Sequence, residues 1–476
     1  MRTLIVLLLF LVPLLAFHYA NVPHAPALAL LFGVAVAWVT EIVPIGVTSI
    51  LIPVVAIVFG LIPPAGAFKE FGSDIVFLIV AVCLLARAFE TSNLGQRLAY
   101  CVLSTRWCNG SLSRGVHGLT AVSWFFGMWM VNSAVCSILL PIVLGILTVL
   151  KPQLEENEYR SFSRRVLFMC SITPGLSGLA TPVGAAPNLF AFKYLAEHGQ
   201  EISFTDWMLL AAPISATLVL LSVLVLDRLH PIPSIDSSRA FARFKDEQAK
   251  LGKLTYHEKV VASTFLGVVF LWLIVPNLPK LFPTVPFLKI VKESLSPTVI
   301  AMLALVPLFT LGKAKTSLQS KDIQRVDLTT LFLFGGGLTL GGIIESSGLA
   351  RDSAHLLVGF VQNYPLLSGG AVIMVTLTLS EFCSNTAAVA LILPLIISLG
   401  GELVGVNQET RLTLLVLFGG TLGFALPAGT VPNGIVYSTG QLTVKDMVAT
   451  GLWIDLLGAV LIVLALEVVY PLLGLL

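Results

Sequence analysis

Long apolar stretches separated by short polar segments follow one another along almost the whole chain. Charge-free stretches include Ile42–Phe68, Val166–Phe192 and Leu412–Val444. Because a helix needs about 20 mostly apolar residues to cross a bilayer, this pattern predicts a bundle of transmembrane helices. The apolar run Leu4–Phe17 follows Arg2 and resembles a signal peptide. It lacks a small-residue cleavage site, so we expect a retained first span.

Two long stretches have a polar centre where an uninterrupted span would be apolar. Gly115–Leu150 contains 36 residues with no charge and has Asn132 and Ser133 in its middle. The stretch 366–401 has Ser384, Asn385 and Thr386 in the same position. We therefore predict two re-entrant hairpins, at 115–150 and 366–401, whose tips stay at membrane depth. Two short full spans at 115–150 would give the same chain direction and remain an alternative.

The basic residues test this topology, since Lys and Arg concentrate in short cytoplasmic loops. With the N-terminus inside and both hairpins returning to their own side, the chain crosses about eleven times and ends outside. This arrangement places 20 basic residues inside and 7 outside, with Arg87 within a span. A single crossing at 115–150 would move the basic loop after residue 228 to the outside. The charge bias therefore favours the hairpin.

The two halves of the chain resemble each other in their polar motifs. Asn132-Ser133-Ala134 is echoed by Asn385-Thr386-Ala387, and Thr181-Pro182 with Pro187-Asn188 by Leu426-Pro427 with Pro432-Asn433. An odd number of crossings per unit would invert the second unit, as in many secondary transporters. We predict an N-terminal helix at 1–24, repeat 1 at 25–228, a cytoplasmic basic loop at 229–259 and repeat 2 at 260–476.

Each half thus has two points at which a helix is expected to break. A break at membrane depth leaves backbone N–H and C=O groups free, which is tolerated only inside the protein or along a wet cavity. Helix N-termini at such points favour anions, while free carbonyls and Asn amides suit a hard cation such as Na⁺. The glycines of Phe334–Leu338 and Gly341-Gly342 are expected to allow close helix packing, because no phosphate-binding Lys follows them.

The composition excludes other classes of protein. Only 11% of the 476 residues are charged, 56% are hydrophobic and the net charge is +2. A soluble enzyme and a nucleic-acid-binding protein do not fit these values. The six cysteines form no CxxC pair, and the seven histidines fall in loops or near predicted span ends, with no HExxH or GxSxG motif. We therefore expect no enzyme, and an intramembrane enzyme is the weaker rival.

At the paired motifs the chain resembles the divalent anion:sodium symporter family of dicarboxylate, tricarboxylate and sulfate transporters. The family has a Ser-Asn-Thr motif at each hairpin tip and a proline break after it. The segment Glu381–Ala388, with the sequence EFCSNTAA, is similar to the second motif, and Gly420–Val436 resembles the C-terminal signature. The similarity covers roughly residues 27 to 470.

The resemblance implies the contacts of the transported ions. Substrate would contact Asn132, Ser133, Ser384, Asn385, Thr386, Thr430, Val431 and Pro432. One Na⁺ would bind at Asn132 and Gly184, and another at Ser380, Asn385 and Gly429. Repeat 1 departs from the family pattern, with Val131 in place of a Ser and Ser133 in place of a Thr. Val131 removes a hydroxyl from the first site, although backbone carbonyls still suit a cation.

The sequence therefore predicts an all-α integral membrane protein of about eleven transmembrane helices, two re-entrant hairpins and two inverted repeats. Its predicted function is Na⁺-coupled import of a C4-dicarboxylate such as succinate, malate or fumarate. Na⁺ is a co-transported ion here and not a fixed cofactor. A dicarboxylate exchanger and a proton-coupled, sulfate or citrate transporter of the same family are the alternatives. The resemblance also implies an elevator-like motion and a homodimer in the inner (plasma) membrane.

Overall fold

A computed structural model describes almost the entire chain as helices joined by short loops. The described residues are 2–108, 111–200, 202–235, 237–311, 318–402 and 408–474. Two basic residues counted above on the cytoplasmic side, Lys313 and Lys315, lie outside these ranges. The described ranges contain helices and no β-strand.

The first half of the chain forms eleven helices within the described residues. Three of them, α6, α8 and α10, begin at a side-chain cap, such as the Glu155 and Glu158 capping box of α8. The helices are α1 Arg2–Tyr19, α2 Ala25–Thr40, α3 Ile45–Val58, α4 Asp74–Thr91, α5 Leu94–Leu103, α6 Leu112–Gly127, α7 Asn132–Leu150, α8 Glu156–Gly178, α9 Ala186–Glu197, α10 Phe204–Leu229 and α11 Ser238–Lys250.

The second half adds thirteen α-helices, some of them a single turn. Thr255 and Glu258 form the capping box that begins the first of these. The helices are α12 Tyr256–Ile274, α13 Leu278–Leu281, α14 Phe287–Ser294, α15 Pro297–Thr310, α16 Ser320–Ile323, α17 Leu328–Ser346, α18 Leu349–Asn363, α19 Pro365–Phe382, α20 Asn385–Glu402, α21 Gln408–Thr421, α22 Val431–Tyr437, α23 Val444–Leu464 and α24 Tyr470–Leu472.

Several of these helices are long and apolar enough to cross a membrane. Six helical segments of the described chain meet that test, or eight when α4 with α5 and α14 with α15 are each taken as one bent span. The chain is therefore an all-helical, multi-pass membrane protein. The predicted total of eleven crossings is larger and stays a prediction.

The two stretches predicted as re-entrant hairpins, hairpin 1 and hairpin 2, are helix pairs interrupted at their polar centres. One helix of each pair is long and apolar enough to cross a membrane, so the re-entrant course stays a prediction. In the first, α6 ends at Gly127 and α7 begins at Asn132. In the second, α19 ends at Phe382 and α20 begins at Asn385. The two helices of each pair contact each other, as the arms of a hairpin do. Both Asn residues thus occupy the first turn of a helix, where backbone N–H groups lack partners within the helix.

Two further helices are interrupted where the proline breaks were predicted. α8 ends at Gly178 and the chain resumes as α9, whereas α21 ends at Thr421 and resumes as α22. Pro187 and Pro432 each occupy the second position of the resumed helix, where the missing N–H is tolerated. The resumed helices pack across the repeats, with α22 on α7 and α9 on α20.

Most glycines of α17 allow close packing, as predicted, whereas Gly342 has open space around it. A methyl group on Gly336 would lie 2.5 Å from the backbone oxygen of Ser49 in α3. A methyl group on Gly337 would lie 2.8 Å from the ring of Phe190, which stacks on Phe334 at a centroid distance of 4.1 Å. α17 therefore lies against α3 on one side and against the broken helix α9 on another.

The basic segment 229–259 is more ordered than a simple loop. Its central part forms α11, and Phe241 and Phe244 of this helix are buried. Phe244 stacks on Tyr100 of α5, and the ring of Phe241 meets Gly115 at the start of α6. The number of charges in this segment predicted a loop, but its two phenylalanines form an apolar face that packs under hairpin 1.

Candidate functional site

The first candidate cation cluster joins the tip of hairpin 1 to the break between α8 and α9. Thr181 donates its hydroxyl to the backbone oxygen of Met128 and accepts the Gly184 N–H at 3.1 Å. A methyl group on Gly178 would lie 2.9 Å from both Asn132 Oδ1 and the Gly184 oxygen. Asn132 Oδ1 is buried and has no hydrogen-bond partner. Asn132 and Gly184, predicted to share a Na⁺, therefore present their oxygens to one small space.

The second candidate cation cluster joins the tip of hairpin 2 to the break between α21 and α22. Ser380 Oγ lies 2.7 Å from Asn385 Oδ1 and 2.8 Å from the Gly420 oxygen. A hydroxyl has one proton and can donate to only one of these oxygens at a time. Asn385 Nδ2 donates to the Thr421 oxygen at 3.3 Å. The cluster thus has more oxygen acceptors than hydrogen-bond donors. A bound cation would supply the missing positive partner of these oxygens.

Two asparagines hold the breaks themselves. Asn188 Nδ2 donates to the Gly178 and Thr181 oxygens at 2.8 and 2.7 Å. Asn433 Nδ2 donates to the Gly423 and Leu426 oxygens at 3.3 and 3.0 Å. Both side chains are fully buried, and the Oδ1 atom of each has no hydrogen-bond partner.

Both positions predicted as backbone cation ligands require glycine, because another backbone segment lies too close to leave room for a side chain. A methyl group on Gly184 would lie 2.5 Å from the Gly178 oxygen, and one on Gly429 would lie 2.5 Å from the Gly423 oxygen. Carbonyl and amide oxygens are ligands for a hard cation. The described residues contain no group of three or more His, Cys, Asp or Glu side chains that could hold a metal ion. The clusters consequently suit Na⁺ better than a transition metal.

The residues predicted to bind substrate are mostly at helix starts. Ser384 accepts the Ala387 N–H at 3.2 Å, and Thr430 accepts the Asn433 N–H at 3.2 Å. Val431 is exposed, whereas Pro432 is buried and its oxygen lies 4.0 Å from Cys136 Sγ, one turn after Asn132. This contact places the Thr430–Pro432 segment beside the first hairpin.

A cavity of about 230 Å³ leads to the tip of hairpin 1. Its lining residues include Val131, Ser133 and Ala186 as well as Arg87 of α4. Arg87 is held by Glu90 at 3.1 Å and by Asp322 in α16 at 3.4 Å. Ser384, Asn385 and Thr386 of the second tip are not among the described residues that line this cavity. The structure thus opens the first tip to a cavity that the second tip does not reach.

Asp322 lies outside the candidate membrane spans, and its neighbours keep it charged. Burial alone would raise the pKa of this carboxyl, but the Gln319 N–H and the Arg87 guanidinium bind the charged form. The pKa of Asp322 therefore lies below its ordinary value. The resulting carboxylate fixes Arg87 on the cavity wall, a role for Arg87 that the sequence did not indicate.

The sequence analysis also missed Asp455. This residue is 1% exposed in the middle of α23 and accepts backbone N–H groups of the second break. A lone acid inside an apolar stretch is a signal of function, since charge at membrane depth is expensive. That signal was present in the sequence, but the partner of Asp455 lies about 30 residues away along the chain and no motif connects them.

Paired helix breaks that gather unpaired oxygens are typical of ion-coupled transporters. This chain belongs to the family described as the sodium:sulfate symporter transmembrane region, which its residues 1–476 match.

The chain is also similar over almost its full length to named relatives. It is 30% identical over 481 residues to the "sodium-dependent dicarboxylate transporter SdcS" of Staphylococcus saprophyticus, covering 98% of this chain and 90% of that protein. It is 29% identical over 475 residues to the protein of the same name from Staphylococcus aureus strain NCTC 8325, with the same coverage. The resemblance to the family inferred from the paired motifs is thereby confirmed.

Proposed function

We propose that the protein is a secondary active transporter that imports small C4-dicarboxylates, such as succinate, malate or fumarate, together with Na⁺. The observation that carries the proposal is the pair of clusters in which buried oxygens outnumber donors, at Asn132 and at Asn385. The family and the names of the relatives support Na⁺ as the coupling ion and a dicarboxylate as the substrate.

The mechanism follows from the chemistry of the two tips. Na⁺ would bind first at Asn132 with Gly184 and at Asn385 with Ser380 and Gly429. Its charge offsets the large penalty of bringing a dianion to membrane depth. The carboxylates would then bind at Ser133, at Ser384, Asn385 and Thr386, and at the N-terminus of α22 formed by Thr430, Val431 and Pro432, where N–H groups favour an anion.

The proposal includes the arrangement in the plasma membrane. The chain would cross about eleven times with its N-terminus in the cytoplasm and its C-terminus outside, and repeats 25–228 and 260–476 would be inverted. Hairpin 1 would then enter from the cytoplasm, and the cavity beside Ser133 would open to the inside. A homodimer and an elevator-like motion of the clusters against the remaining helices complete this picture by analogy with the family.

Labelled succinate uptake into proteoliposomes tests the function. One arm has an inward Na⁺ gradient, a second has K⁺ in place of Na⁺, and a third has no Na⁺ but unlabelled succinate inside. We expect uptake in the first arm alone. Uptake in all three arms or in none would contradict Na⁺-coupled succinate import, and sulfate, citrate and proton gradients would then be the next substrates and drivers to measure.

Exchange is the second candidate, and Val131 is the observation that favours it. Val131 is the N-cap residue of α7 but provides no side-chain cap, whereas Ser384 caps α20. The first tip therefore has one hydroxyl fewer than the second, which weakens its hold on a cation. An exchanger would take up succinate only in the third arm of the experiment.

A further inference from the structure

An apolar groove lies between α6 and α10. Both helices pack against α8, and the groove between them has a volume of about 460 Å³. Its lining includes Thr120 and Ala121 of α6 and Ala216 of α10, whose small side chains leave space between the helices. Leu220, which also lines the groove, is 64% exposed. Because α10 is long and apolar enough to cross a membrane, the groove opens to the hydrocarbon of the bilayer.

Two polar contacts join α6 to α10 at the ends of this groove. At one end Trp124 Nε1 donates to Ser215 Oγ at 3.2 Å. At the other end His117 Nε2 lies 2.9 Å from Asp227 Oδ2. From His117 to Trp124, α6 rises about 10 Å, at about 1.5 Å per residue. One leaflet contributes about 15 Å of hydrocarbon to a bilayer, so the groove is long enough to hold much of one acyl chain.

The His117 end of the groove is basic. Arg114 lies one turn before His117 in α6, and Arg228 directly follows Asp227 in α10. Both of these arginines are exposed. Asp227 also accepts a hydrogen bond from Arg165 Nε at 2.7 Å, so its negative charge is already balanced within the protein. The positive charges of Arg114 and Arg228 are therefore available to a ligand.

Trp107 places this basic end at the surface of the bilayer. Arg114 Nη1 donates to the Trp107 oxygen at 3.0 Å, and Trp107 is 55% exposed. Tryptophan is enriched at the membrane–water interface, at the level of the lipid headgroups. Arginine is well suited to bind phosphate, because its guanidinium donates two parallel hydrogen bonds. An apolar groove that ends at two arginines at this level matches one acyl chain and the phosphate of a phospholipid.

We propose that this groove binds an anionic phospholipid, with an acyl chain between α6 and α10 and the phosphate at Arg114 and Arg228. The bound lipid holds α6 against α10 and so stabilises hairpin 1, whose tip carries Asn132. The proposal depends on the membrane position of the two helices and not on the ion or substrate that is transported. Its failure would leave the proposed function untouched.

Native mass spectrometry of the purified protein tests the role of the two arginines. Detergent-solubilised protein is titrated with dioleoylphosphatidylglycerol, and in parallel with dioleoylphosphatidylcholine, which has the same chains but no net charge. We expect the phosphatidylglycerol concentration for half-occupancy to rise about fivefold in Arg114→Gln and in Arg228→Gln, since one basic residue at a membrane surface has about this effect on anionic lipid. Half-occupancy by phosphatidylcholine should move less.

The control for these substitutions is Arg160→Gln. Arg160 is an exposed arginine of α8 that pairs with Glu156, and it does not line the groove. This variant should retain phosphatidylglycerol as the wild type does. Equal retention of the two lipids by the wild type would overturn the proposal. An equal loss of phosphatidylglycerol in all three arginine variants would also overturn it, because the effect would then be one of total charge.

Ala121→Leu tests the place of the acyl chain by filling the groove. Ala371→Leu is the matched control, since Ala371 is an exposed alanine of α19, the first helix of hairpin 2, and lies outside the groove. We expect retention of phosphatidylglycerol to weaken about tenfold in Ala121→Leu alone, as for the loss of two buried CH₂ groups. Glycerol 3-phosphate, which has no chains, should not displace the lipid. Unchanged retention in Ala121→Leu, or displacement by glycerol 3-phosphate, would reduce the site to a surface anion site and overturn the proposal.

Amide hydrogen exchange tests the effect of the lipid on α6. Phosphatidylglycerol should slow exchange at residues 112–120 of the wild type, and should not do so in the double variant with Arg114→Gln and Arg228→Gln. Both arginines are exposed, so their replacement leaves the packed interior intact and the double variant should fold. Exchange at residues 365–373 of α19 serves as the internal reference. An equal change in the two helices, or none in α6, would contradict a lipid that holds α6 against α10.

Discussion

Asn188 and Asn433 hold the two helix breaks through the same pair of hydrogen bonds. Each side-chain amide donates to the carbonyls ten and seven residues earlier in the chain. A regular helix offers no such pairing, because its hydrogen bonds join residues four apart. The two sequences around these residues differ at most other positions, so the shared geometry supports an internal duplication centred on the breaks.

Asn433→Ala should destabilise the protein and abolish Na⁺-dependent uptake. The change leaves two buried carbonyls without donors, which costs about 1–3 kcal/mol for each unsatisfied group. Thermal unfolding in detergent and uptake in proteoliposomes measure the two effects. Asn277→Ala is the control, because Asn277 makes a similar pair of bonds, to Thr205 and the Leu273 oxygen, in a different part of the fold. Equal transport by the two variants would show that Asn433 has no special role.

Gly184→Ala should abolish the Na⁺ response, because the added methyl group would lie 2.5 Å from the Gly178 oxygen and 2.8 Å from the Met128 oxygen. Gly145 in α7 has open space around its Cα, so Gly145→Ala provides a matched control. Ala is favoured over Gly inside a helix by about 1 kcal/mol, and this control should be as stable as the wild type or more so. The Na⁺ dependence of the Tm distinguishes the two. A normal Na⁺ midpoint in Gly184→Ala would remove Gly184 from the cation cluster.

Asn385→Ala should abolish succinate uptake while the protein still inserts and folds. The amide contributes to both proposed sites, since its oxygen lies beside Ser380 and its nitrogen holds the Thr421 oxygen. The exposed Asn363, which bonds only to the Gly359 oxygen one turn earlier, provides the control substitution Asn363→Ala. Initial uptake rates are compared at equal amounts of reconstituted protein. Near-normal transport by Asn385→Ala would exclude it as a shared ligand.

The reciprocal variants Val131→Ser and Ser384→Val test the difference between the two tips. Val131→Ser would give α7 the cap that Ser384 gives α20, worth about 1 kcal/mol of stability. We expect this variant to bind Na⁺ more tightly and Ser384→Val to bind it more weakly. The midpoints of Na⁺-stimulated uptake report both effects. If neither midpoint moves, the missing hydroxyl does not affect coupling.

His230 predicts a pH dependence of stability. This residue follows the span that ends at Leu229, and its Nε2 lies 2.9 Å from Thr450 Oγ1. Burial, and then the nearby Arg164 guanidinium, lower the pKa of His230 to about 4. Between pH 6.5 and pH 4 the unfolded chain binds the proton more readily than the folded chain, so the free energy of unfolding falls as the pH falls.

The measurement is the Tm of the wild type and of His230→Gln between pH 7 and pH 5. The Tm of the wild type should fall further than that of the variant, which has no proton to take up at this position. Other groups titrate in both proteins and cancel in the comparison. A parallel fall in the two proteins would show that His230 is not held in its neutral form.

The local pattern predicted the helix starts at Asn132 and Asn385, because a polar pair inside an apolar stretch together with a later proline marks a break in the chain itself. The glycine packing of α17 followed from the same local reasoning. Asp455 was out of reach, since its carboxylate joins α23 to the loop after α21. Such contacts depend on which helices become neighbours in space, and the spacing of residues along the chain does not contain that information.

The α11 helix shows a second limit of sequence reasoning. The many charges of segment 229–259 led to the prediction of a loop. The packing of α11 depends instead on its two buried phenylalanines, Phe241 and Phe244. The roles of the predicted site residues, the inverted orientation of the repeats and the dimer stay predictions, because they concern bound ions, a membrane and a second subunit.

Concentrative uptake tests the central claim most directly. Proteoliposomes without internal substrate receive labelled succinate under an inward Na⁺ gradient, with the membrane potential clamped to zero by K⁺ and valinomycin. Na⁺-coupled import predicts that internal succinate rises above the external concentration and returns to it when a Na⁺ ionophore dissipates the gradient. Internal succinate that never exceeds the external concentration, although the protein is folded and responds to Na⁺, would contradict the account.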